Sequence, residues 1–135
     1  MVTQLNLKLL GVLQDYGTPY ASLYFNDNGN GGTLYLVLEQ GKNDSGDFEA
    51  YVMPVSAENI KGYLDEQIDL LTIVKQSPEI LLWRRKKNDD GVFSHISSNG
   101  LVNKLDNEDF FDPEFCRDAP RINYFITHPN SLATI

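Results

Sequence analysis

Cysteine is almost absent. Cys116 is the sole thiol in 135 residues, so no internal disulfide can form. That favours a reducing compartment, and a cytoplasmic protein is expected. Long apolar runs are missing too. No stretch approaches the ~20 residues that cross a bilayer. The start, MVTQLNLKLLGVLQ, places Lys8 inside its apolar part, which is a poor pattern for a secretory signal. Positive charge is scarce, with 11 Lys and Arg against 19 Asp and Glu and a net charge of -8. Direct nucleic-acid binding draws its free energy from many cationic contacts to phosphate, so it is not expected. Adsorption to an anionic membrane is disfavoured for the same reason.

Metal-ligand and phosphate motifs are lacking as well. The two histidines, His95 and His128, and the single cysteine have neither H-x-x-x-H nor C-x-x-C spacing. The segment 26–32, NDNGNGG, holds one acid, Asp27, where a calcium loop needs several at fixed intervals. No Gly-Lys-Ser/Thr follows it, so it is not a phosphate loop. No cofactor is expected. Nucleophilic catalysis would need Cys116 beside His128, with Arg117 and Arg121 lowering the thiol pKa. Nothing in the sequence brings these together, and a cysteine next to Phe115 reads first as a small core residue. The expectation is a protein that is not an enzyme.

What remains is ample material for a core. Hydrophobic residues make up 41% and aromatics 11%, in a length typical of a single domain spanning 1–135. Residues 3–13 alternate like a strand, although Leu5, Leu9, Val12 and Leu13 also fit one helical face. We take a strand, with Gly11 and DYGTPY reading as a turn. Ala21, Leu23 and Phe25 alternate with Ser22 and Tyr24. NDNGNGG supplies turn residues, and Thr33–Glu39 returns with Leu34, Leu36 and Leu38 on one side and Tyr35 and Val37 on the other. FEAYVMPV (48–55) continues the meander after a polar turn at 41–47. Ser56 is a fitting N-cap for a helix with Glu58 in its first turn, and Asp69 for a second. EILLWRRKKNDDGVFSHIS reads as a hairpin, with Trp83 set opposite Ile96 across a four-residue loop. Ile80, Leu82 and Arg84 lie on one face of its first arm, Leu81, Trp83 and Arg85 on the other. Residues 106–118 hold six acids, one base and three phenylalanines, and Ile122–Thr127 reads as a last strand. Strands in series followed by helices predict an α+β fold. The expected form is a mostly antiparallel meandering sheet of five or six strands with two short helices on one face.

One segment carries a likeness. YVMPVSAENIKGYLDEQIDL (51–70) resembles an uncharacterised family of small bacterial and phage-borne domains, in which a strand ending P-V-S leads into a short helix and I-D-L opens another. The matching residues are Pro54, Val55, Ser56, Ile60, Leu64, Ile68, Asp69 and Leu70, and the upstream DYGTPYASLYF fits that family's first hairpin arm. The resemblance covers about half the chain. It implies an α+β domain of prokaryotic or phage type and brings no activity with it, because the matching positions are caps and core.

Binding is the function class left standing. The candidate contacts are Trp83, Arg84, Arg85, Arg117, Arg121, Tyr20 and Tyr24, with Tyr16 beside them, since arginine and aromatics dominate protein hot spots and also stack on bases. Four cations in a row, Arg84–Lys87, read first as the solvated end of a hairpin, partly neutralised by the adjacent Asp89 and Asp90, with an anion site as the alternative. The leading expectation is a small acidic interaction module that binds a protein partner, as an inhibitor or accessory subunit. The alternative is a binder of an anionic small molecule, a nucleotide held through Arg and Tyr. Exposed sheet edges leave a homodimer open.

Overall fold

The computed structural model describes residues 7–15, 19–27, 32–42, 45–77, 79–86, 91–96 and 118–128. Six strands form one antiparallel sheet in chain order: β1 (Leu7–Asp15), β2 (Pro19–Asp27), β3 (Gly32–Lys42), β4 (Phe48–Val55), β5 (Ile80–Arg85) and β6 (Val92–Ile96). The described residues include three helices: α1 (Ala57–Leu64), α2 (Leu70–Gln76) and α3 (Ala119–Thr127). The fold is α+β, and α3 is a helix that the sequence pattern did not suggest. Among the described residues, no helix is long and apolar enough to cross a membrane.

Strand alternation sorts side chains into two layers. Leu23, Leu36, Tyr51, Met53 and Ile80 face the helices, where Ile60, Tyr63, Leu70, Ile73, Val74 and Ile122 complete the main core. Val37, Ala50, Val52 and Leu81 form a second buried cluster on the opposite face, with Leu7, Tyr24, Tyr35 and Trp83 packed against it. No described helix residue belongs to that second cluster. The helices begin where their caps dictate. Ser56 Oγ accepts from the Asn59 amide at 3.0 Å, and Asp69 Oδ1 from the Thr72 amide at 2.8 Å. Each satisfies an N–H that the first turn leaves without a helical partner.

β1 explains its own ambiguous pattern. Its pairing with β2 skips Leu10, between Leu9 and Gly11, and Leu13, between Val12 and Gln14. Each skip is a bulge that turns an extra residue toward the helices. Leu10 and Leu13 are thus fully buried in the main core. Gly11 lies inside this strand and not in a turn. A Cβ there would sit 2.8 Å from Ile122 Cγ1, so α3 rests directly on the strand backbone.

The segment from Ile122 to Thr127 is helical, where alternation suggested a strand. Ile122, Phe125 and Ile126 recur at helical spacing and all pack on the main core. Pro120 suits the first turn, where its missing N–H costs no helical bond. The side chains of α3 also guard the sheet edge. Asp118 Oδ2 accepts from the Val12 amide at 2.6 Å, and Arg121 Nε donates to the Leu10 carbonyl at 2.6 Å. Backbone groups of an edge strand that would otherwise invite a foreign strand are thereby occupied.

Candidate functional site

An antiparallel sheet covered by helices on one side usually turns polar residues outward on the other. This one does not. On the face that is helix-free among the described residues stand Val37, Ala50, Val52 and Leu81, buried at 7%, 5%, 3% and 2% exposed, in adjacent strands β3, β4 and β5. Tyr24 faces Tyr35 across β2 and β3, and both flank this cluster. Trp83 closes it on β5. Leu9, 47% exposed, and Phe48, 38% exposed, extend the apolar surface to β1 and to the start of β4. What reaches solvent here is Leu9 and Phe48 beside the half-buried rings of Tyr24, Tyr35 and Trp83, and exposed apolar groups gathered on one face mark an interaction site.

The electrostatics of this face are uneven. Burial holds the phenol of Tyr24 above its ordinary range, and the charge of Glu39 pushes it further up. Tyr35 is raised in the same way, by burial and then by Glu79. Desolvation raises the Glu39 carboxyl. Both tyrosines therefore stay neutral, as hydrogen-bonding aromatics, well into alkaline solution.

At the end of the face formed by the close of β3, the start of β4 and the close of β5, the sign reverses. Lys42 and Phe48 are direct partners across β3 and β4. Lys42 Nζ stands 5.3 Å from the centre of the Phe48 ring, and Arg85 Cζ stands 5.4 Å from it. Arg85 also lies 5.6 Å over the Trp83 ring. Gly91 fixes that indole: its φ of +86° suits glycine, and a Cβ there would run into the Trp83 ring.

The adjacent arginines of WRRKK have different fates. β5 alternation sends Arg84 to the helix side, where it faces Glu49 across β4. Its Nε and Nη2 donate to Glu49 Oε2 at 3.0 and 2.7 Å, and this hydrogen bond holds the guanidinium above its usual range. Arg85 goes to the aromatic side. The hairpin register also differs from the pattern reading. Trp83 pairs with Phe93 and Ile80 with Ile96, so the connection is longer than four residues and the strands separate after Arg84 and Val92.

Among the described residues, Arg121 and the two histidines lie apart from this face's cationic end. Arg121 is engaged at the β1 edge and lies 5.0 Å over the Phe125 ring. His128 caps α3: its Nδ1 lies 2.9 Å from the Tyr124 carbonyl and its ring stacks on Tyr124. His95 is exposed on β6. The backbone of Tyr20 lies in β2, while its side chain, like Tyr16, Lys87, Cys116 and Arg117, lies outside the described residues. Among the described residues, no three His, Cys, Asp or Glu side chains gather as metal ligands would. A hollow of about 280 Å³ opens between the end of β4 and helices α1 and α2. Pro54, Val55, Ser56, Asn59, Ile73, Gln76 and Ser77 line it, none of them ionisable.

Lys42, Tyr35 and Phe48 were not singled out by composition or motif. A signal for them exists in the sequence. TLYLVLE, EAYVMPV and EILLW are apolar on both alternating registers, which a strand with one wet face is not. No family model, curated protein or solved structure matches the chain.

Proposed function

We propose that this chain is a non-enzymatic interaction module that binds a protein partner through the helix-free face of its sheet, as an inhibitor or accessory subunit. The observation that carries this reading is the gathering of the half-buried rings of Tyr24, Tyr35 and Trp83 and the exposed ring of Phe48 on one sheet face. Burying such a surface returns roughly 25 cal/mol per Å². Flat aromatic surfaces lose little side-chain entropy on docking, which is why they recur in protein hot spots. The likeness of residues 51–70 to small bacterial and phage domains suggests that the partner belongs to the same cell or phage.

The test is site-directed photo-crosslinking in the native host. A benzophenone side chain placed at Tyr35 should yield a discrete protein adduct. The same group at Tyr124, half exposed on α3 beyond the opposite face, should yield none. Adducts from Tyr124 alone would refute the assignment of the face.

A further inference from the structure

We infer that the cationic end of the helix-free face, where Lys42 and Arg85 flank the exposed ring of Phe48 beside Trp83, receives a carboxylate-rich segment of the protein partner. This rests on the protein-binding reading above and specifies the chemistry of what docks.

Three observations lead to it. First, these cations have no carboxylate partner among the described residues. Arg84 has Glu49, and Lys61 has Asp65 at 3.2 Å. Among the described residues, neither Lys42 nor Arg85 pairs with a carboxylate, and their contacts are the rings of Phe48 and Trp83. Lys86, exposed, follows directly. The rings hold the cations in place and satisfy none of their N–H donors, and a guanidinium fork suits a carboxylate. Asp47, next to Phe48, directs its field at Arg84 on the other side of the sheet.

Second, the face is polarised. Glu79, which acts on Tyr35, precedes β5, and β5 ends at Arg85, so acid and base stand at opposite ends of one strand. Glu39 lies between them on β3 and acts on Tyr24. A segment laid along the face is therefore oriented, with its acids toward Phe48 and away from Glu79, and Glu39, in the row of Ala50 and Trp83, bounds the cationic end. In a chain of net charge -8, a local cationic end selects a partner that the protein as a whole would repel.

Third, the geometry favours a peptide over a nucleotide. Both cations lie over the Phe48 ring, where a base would stack.

Trp83 is the only tryptophan, so its emission reports this end of the face alone. A synthetic peptide alternating glutamate with leucine, added at low salt, should change that emission saturably. Lys42→Glu with Arg85→Glu should weaken the response at least about tenfold, and added salt should weaken it steeply. Lys61→Glu with Lys75→Glu makes the same change in net charge on the helices and should stay within about twofold of the parent. Circular dichroism of each variant confirms its fold. Equal weakening in both pairs, or no response to the peptide, overturns the inference. So does a response to ATP where the peptide gives none, which assigns the site to a small anion. If the Tyr35 adduct forms but survives both Lys42→Glu/Arg85→Glu and high salt, protein binding stands and the acidic segment falls. If no Tyr35 adduct forms, both fall.

Discussion

Gly11→Ala is the substitution that probes the packing of α3 on the sheet most directly. An added methyl would stand 2.8 Å from Ile122 Cγ1, 2.9 Å from Asp118 Cβ and 3.0 Å from Ile122 Cδ1. Carbon atoms in contact prefer about 3.5–4.0 Å, so α3 has to withdraw by most of an ångström. Overpacking of this kind costs about 1–3 kcal/mol. The withdrawal also stretches the bonds of Asp118 to the Val12 amide and of Arg121 to the Leu10 carbonyl, both 2.6 Å. Against this, alanine restricts the unfolded chain and returns about 0.4–1 kcal/mol. The steric term wins, and a net loss of about 1–2 kcal/mol is expected, with a melting temperature lower by roughly 3–10 °C. Urea unfolding measures it as a lower midpoint at unchanged slope. Ile122→Ala supplies the cross-check, because it removes two of the three crowding atoms. Alone it should cost about 2–5 kcal/mol. Combined with Gly11→Ala, the loss should fall short of the sum of the single losses by at least ~1 kcal/mol. A neutral or stabilising Gly11→Ala, or strict additivity with Ile122→Ala, would refute the idea that α3 sits on the bare backbone of β1.

Three further outcomes are expected. Gln40 Nε2 is buried without a hydrogen-bond partner among the described residues, so Gln40→Met should add roughly 1 kcal/mol of stability, read as a higher urea midpoint, and a lower midpoint would show that the amide has a partner. Gly91→Ala forces an unfavourable positive φ and displaces the Trp83 indole. Its emission should shift to the red with loss of about 1–3 kcal/mol, whereas an unchanged spectrum would place the ring elsewhere. Desolvation raises the Glu39 carboxyl, so its ionised form is less favourable in the folded state than in the unfolded. Stability falls as pH rises through the carboxylate range. Glu39→Gln should therefore be stabilising at neutral pH, with the gain vanishing below the unfolded carboxylate pKa; a gain independent of pH would contradict this.

Much of the sheet was legible before any coordinates, because period-two alternation and turn chemistry act locally. Leu34, Leu36 and Leu38 part from Tyr35 and Val37 as their spacing requires. Ser56 and Asp69 cap the helices that follow them, since a capping oxygen needs only the next turn of its own chain. The site was legible in part. Trp83, Arg85 and Tyr24 could be named from residue type, while Lys42, Tyr35 and Phe48 carry no motif.

Local chemistry thus determined the periods of β2 to β4, the starts of α1 and α2 and the existence of the WRRKK hairpin. Tertiary structure decided the rest. RINYFIT has apolar residues compatible with either period, and the groove over Gly11 selects the helix by burying Ile122. β1 looks both alternating and helical because two bulges, visible only against β2, turn Leu10 and Leu13 inward. Arg84 and Arg85 are neighbours of one type in the chain, and only β4 separates them, by offering Glu49 on one face and Phe48 on the other. Contacts between residues dozens of positions apart depend on strand register, which is settled by burial across the whole sheet and by no single segment within it.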